Sequence, residues 1–304
     1  MIKPFKYLLF FIISLPSLAF AVPQKTIAFA QDDMANDFRK AQVNEVKAAV
    51  AAHSQLRFVA SNAKGKTALL IYQIDRFIQQ QVDLIIVGTN DAKAVVPVVT
   101  KAYQSGIPVI ILDRGIESLN YTTFINSDNV KIGQLGAEYI AEKLNYQGQV
   151  LLMEGIQTAD VTQLRSQGFL QEMAKYPQIK IIKRTGNYLR RDAIFAMEDV
   201  LKNNIEMDAV FSESDSMLSG VRSALQRFNR DPAKLITVGC DYTSEAQQAI
   251  RNGSQTASVL FPLGGEKSVE FALKILNGET VPKHVFIPVK IVDKTNVNSV
   301  KPIF

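Results

Sequence analysis

Charged side chains follow several apolar runs of this sequence, at positions where β-strands would end. Asp113 and Arg114 come directly after the apolar residues 109–112, and Asp241 closes a shorter run that begins at Ile236. A strand that is apolar on both faces belongs inside a parallel sheet. Ligands of such sheets bind outside the carboxyl ends of the strands. These side chains are therefore candidate ligand contacts, with a purely structural ion pair between Asp113 and Arg114 as the alternative.

The first predicted helix begins with an amide, an aromatic ring and a cation. Asn36, Phe38 and Arg39 follow the apolar strand 26–30, and apolar residues then recur at helical spacing. Asn36 or Asp37 can cap this helix. A helix N-terminus just beyond a strand end is a natural site for a polar ligand. Phe38 has the alternative of being the first core residue of its helix.

The rest of the chain repeats a strand followed by a helix. This alternation runs through the first hundred residues after the N-terminal segment and restarts near Gln149. It predicts an α/β fold of two doubly wound parallel-sheet, Rossmann-like lobes. The expected lobes are residues 25–124 plus 262–284 and residues 125–261 plus 285–304, with three hinge crossovers near Phe124, Phe261 and Val285. Residues 285–292 are predicted to form one strand.

Residues 1–21 are predicted to form an export signal. Lys3 and Lys6 precede an apolar stretch, and Ala19-Phe20-Ala21 fits a signal cleavage site. The apolar core is too short for a good membrane span, and no cysteine follows it for lipid attachment. We therefore expect cleavage near Val22 and a soluble protein of residues 22–304 in the periplasm.

Composition and charge argue against nucleic acid as a partner. The formal net charge is +5, and it falls to +3 without Lys3 and Lys6. No basic run is dense enough to form a patch for nucleic acid. Cys240 is the single cysteine, so no intrachain disulfide can form. We interpret it as a buried, inert thiol at a strand end.

Enzyme chemistry has little support in the sequence. His53 and His284 are the only histidines, and neither has a plausible triad partner or a metal-ligand cluster. Gly65-Lys66-Thr67 looks like the end of a phosphate-binding loop, but Ala60 occupies the position of its first glycine. A glycosidase with paired carboxylates is an alternative, although neighbouring arginines lower the pKa of an Asp and make it a poor general acid. We expect no catalysis, no metal and no cofactor.

Several short segments together carry a family resemblance. They are Asn36-Asp37-Phe38-Arg39, residues 107–114, Ser127-Asp128-Asn129, Glu154-Gly155, Arg165-x-x-Gly168-Phe169, residues 211–217, residues 238–241 and Asn277-Gly278-Glu279. Each is weak alone, but their order and spacing are specific. From about Thr26 to Val292 the chain resembles periplasmic sugar-binding proteins of the ribose-binding and galactofuranose-binding type, the solute receptors of ABC importers. The resemblance implies two lobes joined by three hinge strands that close over one monosaccharide.

A sugar needs hydrogen-bond acceptors and donors for its hydroxyls and an aromatic face for its C–H groups. Each residue type at the expected site fits one of these needs. The resemblance implies that Phe38 and Tyr188 form an aromatic sandwich, that Asp113, Asp215 and Asp241 accept hydrogen bonds, and that Arg39, Arg114 and Arg165 donate them. Asn36, Ser214 and Phe261 complete the expected site. The arginines would also keep the buried carboxylates paired. Asp215 has the alternative of being only a helix cap.

The chain departs from its relatives at two places in that site. Ser214 stands where relatives have Asn, and Leu260 and Phe261 stand where they have Gln or Glu. A site built to bond a hydroxyl rejects analogues that lack it. The departures therefore suggest a ligand that is less hydroxylated on the Phe261 side, such as a deoxy sugar or a smaller polyol.

The resemblance implies a monomer whose membrane partner is an ABC permease. A periplasmic sensor subunit that presents its closed form to a chemoreceptor or a histidine kinase is the alternative. Repressors of the LacI type share the fold, but they would need a DNA-binding helix-turn-helix before residue 26, where this chain has the predicted export signal.

Overall fold

The computed structural model describes residues 24–304. The predicted export signal lies outside these residues. The strands are β1 (Lys25–Gln31), β2 (Leu56–Asn62), β3 (Leu84–Gly88), β4 (Val109–Leu112), β5 (Thr123–Asn126), β6 (Gly148–Glu154), β7 (Ile179–Thr185), β8 (Ala209–Ser212), β9 (Ile236–Asp241), β10 (Ala257–Leu260), β11 (His284–Phe286) and β12 (Lys290–Asp293).

Helices follow most of these strands. They are α1 (Asp37–Ala51), α2 (Thr67–Gln79), α3 (Val96–Gln104), α4 (Asn129–Lys143), α5 (Asp160–Met173), α6 (Arg190–Lys202), α7 (Asp215–Arg227), α8 (Ser244–Asn252) and α9 (Gly265–Leu276), with a 3₁₀ turn at Pro232–Lys234. Within residues 24–304, none of them has the length and apolar character needed to cross a bilayer.

The strands form two six-stranded sheets. The first has the order β2-β1-β3-β4-β5-β11 and the second has the order β7-β6-β8-β9-β10-β12. Neighbouring strands are parallel, except that β12 runs antiparallel to β10. The predicted fold class of two doubly wound α/β lobes is confirmed. Each sheet reverses its winding direction once, between β1 and β3 and between β6 and β8, and ligands of such sheets bind at that point.

The central strands are buried because helices cover both faces of each sheet. In β3, Ile85 packs with α2 and α3, whereas its neighbour Ile86 packs with α1 and α9. Side chains of a strand alternate between faces, so a strand covered on both sides is apolar at every position. This explains the unbroken runs in β3 and β4, whose residues are all buried.

The chain crosses between the lobes three times. The crossings are residues 127–128 after β5, residues 261–264 after β10 and residues 287–289 after β11. The prediction of a single strand over 285–292 is wrong, because β11 belongs to the first sheet and β12 to the second. Pro288 lies between them, and a proline has no amide hydrogen to continue a ladder. Residues 285 and 286 therefore lie in the first sheet rather than in the second lobe, where we expected them.

Two glycines allow α4 and α5 to pack closely in the second lobe. A Cβ on Gly133 would lie 2.1 Å from the carbonyl oxygen of Arg165, and a Cβ on Gly168 would lie 2.0 Å from the carbonyl oxygen of Val130. Both distances are far below a normal contact, and both obstructing atoms are backbone. The close packing fixes the part of α5 that carries Arg165.

We expect Gly168→Ala to lower the free energy of unfolding by about 1–3 kcal/mol, the usual cost of overpacking. Urea denaturation measures this change. The neighbouring exposed substitution Gln167→Ala is the control and should change stability by less than about 0.5 kcal/mol. Equal stability of the two variants would contradict this account of the helix contact.

Candidate ligand-binding site

A small cavity lies between the two lobes, at the carboxyl ends of their strands. Its walls come from both lobes and from the crossing after β10. The lining residues are Asn36, Phe38, Arg39, Asp113, Arg114, Val161, Arg165, Tyr188, Ser214, Asp241 and Phe261. The structure thus brings the sequence-predicted residues together around one cavity, with Asp215 as the exception and Val161 as an addition.

Two buried ion pairs form the first-lobe wall of the cavity. Arg39 contacts the Asp113 carboxylate through Nη2 and Oδ2, and Arg114 Nη1 lies 3.1 Å from Asp32 Oδ2. Asp113 and Arg114 are thus paired with residues that follow β1, and no ion pair between the two is formed. Burial raises the pKa of Asp32 and lowers that of Arg114. Removing one member of such a pair leaves an uncompensated buried charge.

Among residues 24–304, the first pair leaves one buried polar atom without a partner, and the second leaves two, of which Asp32 Oδ1 belongs to a residue outside the cavity lining. Asp113 Oδ1 and Arg114 Nε have no hydrogen-bond partner in the part of the chain that the structure describes. An unsatisfied buried group costs about 1–3 kcal/mol. A ligand hydroxyl can donate to the carboxylate and accept from the guanidinium, so it would satisfy both atoms.

Asp241 supplies a second carboxylate from the other lobe. It is 3 % exposed, and no side chain among residues 24–304 donates a hydrogen bond to it. Burial raises its pKa well above the ordinary value, and the charge of Arg165 opposes that shift. The Asp215 amide also acts on this carboxyl and lowers its pKa. A carboxyl group has two oxygens, so Asp241 can still bond a ligand hydroxyl.

Arg165 projects from α5 and is held at two points. Its Nε donates to Asn129 Oδ1 at 2.8 Å, and its Nη1 donates to the carbonyl of Glu213 at 2.6 Å. Its guanidinium carbon lies 4.6 Å from the ring centroid of Phe261. These contacts use one edge and one face of the group, and they leave Nη2 free to donate to a ligand.

The aromatic lining residues have partners within the protein. Phe38 stacks on Phe261, with ring centroids 5.1 Å apart. Tyr188 faces the guanidinium carbons of Arg114 and Arg165 at 5.1 and 6.0 Å, and burial raises its pKa. The rings of Phe38 and Tyr188 both border the cavity, and their expected role as a sugar sandwich stays a prediction.

Direct contacts join the lobes around the cavity. Asn36 Nδ2 donates to the Tyr188 carbonyl at 2.6 Å, and the Gly115 amide donates to Asp160 Oδ2 at 2.7 Å. Thr158 Oγ1 also donates to a first-lobe carbonyl at 2.8 Å. The lobes are therefore in contact in this structure, and they enclose the cavity.

Three lining residues have a left-handed backbone conformation. The φ angles are +69° at Asp113, +60° at Tyr188 and +111° at Asp241. Residues other than glycine rarely adopt such angles, and each costs of order 1–3 kcal/mol. Strained residues concentrate at functional sites, where the surrounding structure holds a side chain in a required direction.

Asp215, which we expected to contact ligand, has a different environment. Its carboxylate accepts hydrogen bonds from the Tyr242 amide at 2.7 Å, from Ser258 Oγ at 2.7 Å and from Gln255 Nε2 at 2.8 Å. Ser214 is the residue that caps α7, through a bond from the Met217 amide. Asp215 is thus neither a cavity residue nor the cap. Its carboxylate ties the start of α7 to β9 and β10.

We expect Asp215→Ala to reduce the free energy of unfolding by about 2–4 kcal/mol, because three buried donors lose their acceptor. Ligand affinity should change much less than stability. Urea denaturation and calorimetry of the same preparation measure the two quantities. Asp199→Ala, on an exposed face of α6, is the control. A large loss of affinity at unchanged stability would return Asp215 to the site.

The structure adds residues that the sequence reasoning missed. Asp32 follows β1 as Asp113 follows β4, so the rule for strand ends could have found it. The same rule could have found Glu213, which directly follows β8, whereas Val161 gave no comparable signal. His284 Nε2 lies 2.7 Å from Asn126 Oδ1 at the hinge, away from the cavity. Among residues 24–304, no three His, Cys, Asp or Glu side chains are grouped to hold a metal ion.

The comparison with protein families decides where the chain belongs. The family model described as periplasmic binding protein domain matches residues 27–280. This chain belongs to the periplasmic binding protein family. The resemblance inferred from the sequence is thereby confirmed, and the family consists of substrate-binding proteins.

Named relatives of the family are similar over most of the chain. The ribose import binding protein of Bacillus subtilis is 29% identical over 238 residues, which cover 78% of this chain and 77% of the relative. A solute-binding protein of an ABC transporter from Bacillus halodurans, solved with bound myo-inositol, has a TM-score of 0.86 at 27% identity and covers 91% of this chain and 97% of its own. The fructose-binding periplasmic domain of a hybrid two-component system has a TM-score of 0.86 at 28% identity, with coverage of 90% and 92%.

Proposed function

We propose that this protein is a periplasmic solute-binding protein that captures a neutral monosaccharide or related polyol between its lobes and delivers it to an ABC importer. The observation that carries the proposal is the pair of unpartnered buried atoms, Asp113 Oδ1 and Arg114 Nε, at a cavity enclosed by both lobes. The names of the similar proteins support the same ligand class, because they include a ribose import protein and a receptor solved with myo-inositol.

The charge of the site favours a neutral ligand. Arg39 and Arg114 are each neutralised by a carboxylate, and the charge of Arg165 is opposed by the nearby carboxyl of Asp241. Arg165 forms no ion pair among residues 24–304, so the charges of the site balance when Asp241 is ionised. An anionic sugar would add a buried charge with no counter-ion of its own, and burying an unpaired charge is unfavourable.

The aromatic wall favours a ligand with one less polar side. The lobes leave only about 20 Å³ between them, close to the room for one water molecule, so they must move apart to admit any sugar. Phe261 and Phe38 form an apolar stack on one side of the cavity. A deoxy sugar or a small polyol therefore suits the site better than a sugar that carries hydroxyls on every side.

The proposed mechanism is hinge closure. The ligand binds one lobe first, and bending at the three crossings brings the second lobe over it. Contacts made only when both lobes touch the ligand stabilise the closed form, so its population follows ligand concentration. A membrane partner can then recognise the closed outline. We expect the protein to act as a monomer.

A ligand panel tests the proposal. It contains ribose, 2-deoxyribose, allose, fucose, fructose, myo-inositol and glycerol, with glucuronate as the anionic control. Thermal shift identifies binders, calorimetry measures their affinity, and small-angle scattering with and without a binder measures closure. We expect at least one neutral compound to bind and to compact the protein, and NMR should recover it chemically unchanged. Absence of binding and of compaction across the panel would overturn the proposal, and a hydrolysed or isomerised product would indicate an enzyme.

A sensor subunit is the second candidate, because one similar structure is the periplasmic domain of a hybrid two-component system. The two functions use the same closed form and differ in the membrane partner. Co-purification from membranes with the bound ligand present separates them: an ABC permease supports delivery to an importer, and a histidine kinase or chemoreceptor supports sensing.

A further inference from the structure

A buried cluster lies directly behind the cavity wall of the second lobe. Glu154 at the end of β6 and Glu213 after β8 are both buried, at 9 % and 0 % exposure, and Ser166 of α5 lies between them. Ser166 Oγ is 2.9 Å from Glu154 Oε1 and 2.8 Å from Glu213 Oε1. Neither glutamate lines the cavity.

Both contacts are hydrogen bonds only if one of the carboxyl groups carries a proton. A serine hydroxyl has one hydrogen, so it can donate to only one of two carboxylates. The second short contact becomes a hydrogen bond only when a carboxylic acid donates to Ser166 Oγ. Two ionised carboxylates joined by one hydroxyl would repel each other in a poorly solvated site.

Glu213 is the better place for that proton. Lys183 Nζ lies 3.3 Å from Glu154 Oε1, whereas no lysine or arginine among residues 24–304 forms an ion pair with the Glu213 carboxyl. Burial is the largest influence on Glu213 and raises its pKa to about 7. The ionisable groups around it on the packed elements are Glu154, Arg165, Lys183, Tyr188 and Cys240.

Glu213 also holds two lining residues of the cavity. Its Oε2 accepts from the Tyr188 hydroxyl at 3.2 Å and from the Gly155 amide at 2.9 Å. Its backbone carbonyl accepts from Arg165 Nη1 at 2.6 Å. A shift of the Glu213 side chain away from Ser166 would therefore move the ring of Tyr188, which faces the guanidinium of Arg165.

We propose that Glu154, Ser166 and Glu213 share one proton and that Glu213 is a positioning residue, which couples the ligand affinity of the cavity to pH. The coupling rests on the proposed ligand-binding function, whereas the shared proton does not. In the protonated state Glu213 donates to Ser166, which donates to Glu154. Loss of the proton breaks this chain and separates the two carboxylates, so affinity falls as pH rises through the titration.

Carboxyl ¹³C NMR of the ligand-free protein tests the shared proton. Glutamate labelled at the carboxyl carbon is incorporated, and the two signals are assigned by their loss in E154Q and E213Q. We expect one signal to titrate near neutral pH while the other stays ionised, and E142Q, on the exposed surface of α4, to leave both signals unchanged. Two signals that are both ionised from pH 5 to 8 would overturn the proposal.

Stability supplies a second, ligand-free measurement with a defined sign. Because the folded-state pKa of Glu213 lies above its ordinary value of 4.5, the folded protein binds more protons than the unfolded chain between these values. Its stability contribution therefore falls as pH rises from 4.5 to about 7. E213Q does not titrate, so its melting temperature relative to the wild type should rise across this interval. A constant difference would contradict the proposal.

The positioning role is tested at Tyr188 and by binding. Tyrosine labelled at Cζ, with the signal assigned by Y188F, should shift with the Glu213 titration in the wild type and stay constant in E213Q. The tightest binder of the panel should bind the wild type roughly threefold or more weakly at pH 8.5 than at pH 5.5, with no such change in E213Q. A Tyr188 signal insensitive to pH would overturn the positioning role. Failure of the whole panel would count against the proposed function and leave the NMR result on the proton standing.

Discussion

Asp113→Asn is expected to weaken ligand binding by roughly 10- to 100-fold, the cost of losing a hydrogen bond to a charged group. The carboxylate has two tasks. Oδ2 holds Arg39, and Oδ1 is buried without a partner in the described chain. Asparagine keeps the shape and one acceptor, but its amide nitrogen cannot accept. Whichever way the amide turns, either Arg39 or the ligand loses its acceptor.

Calorimetry with the tightest binder of the panel measures this loss, and urea denaturation separates it from unfolding. The free energy of unfolding should fall by about 3 kcal/mol, because the Arg39 charge loses its full counter-ion. The matched control is Asp128→Asn at the N-cap of α4, where the side chain accepts only from the Lys131 amide and asparagine caps equally well. Wild-type affinity in Asp113→Asn would exclude Asp113 as a ligand contact.

Arg165→Lys is expected to cost about 2–3 kcal/mol of binding free energy, which is roughly 30- to 150-fold in affinity. Lysine keeps the positive charge but has no planar fork. It cannot bond Asn129 and Glu213 together, as Nε and Nη1 do, while it also contacts the ring of Phe261. The ammonium group would remain in the cavity, but the two hydrogen bonds that fix the position of the guanidinium would be lost.

The control for this variant is Arg227→Lys. Its guanidinium pairs with Glu198 on the surface, where the Arg227 side chain is 60% exposed, so stability and affinity should both stay near wild type. Arg165→Lys should fold, because the charge keeps its nearby acidic groups. If Arg165→Lys binds the ligand as the wild type does, the cation at this position acts through charge alone and the geometric argument fails.

Much of the site was predictable because one rule applies to every parallel sheet. The carboxyl ends of neighbouring strands share an edge. Asp113 after β4 and Asp241 at the end of β9 therefore had to lie at the carboxyl edge of their respective sheets. That the two sheets bring these edges together depended on the family resemblance. Periodicity alone cannot show which two strand ends meet across a cleft.

Where prediction failed, the deciding information was geometry at the scale of one residue. Ser214 and Asp215 are adjacent and both polar, and either could have capped α7. Ser214 caps the helix by accepting from the Met217 amide, whereas Asp215 accepts from the Tyr242 amide. The strand predicted over 285–292 failed for a related reason. An alternation of apolar and polar residues is typical of one long strand, and it is equally typical of two short strands that belong to different sheets.

The contact between the second-lobe carboxyl groups was beyond sequence reasoning. Glu154 and Glu213 both lie at strand ends, so the same rule places them at one edge of the second sheet, but it does not show which group lies between them. Only the packing of α5 on β6 and β8 places the Ser166 hydroxyl between them. A shared proton is a property of that three-dimensional arrangement and has no counterpart in composition or spacing.

The threefold crossing of the chain has a consequence for how the molecule reaches its native state. The edge strands β11 and β12 come from residues 284–293, yet β11 pairs with β5 and β12 pairs with β10. Neither half can be completed during synthesis until almost the whole polypeptide has emerged. Pairings between such distant segments slow folding, because long loops must close first. We therefore expect a slow folder whose two halves reach their final form together in a late step.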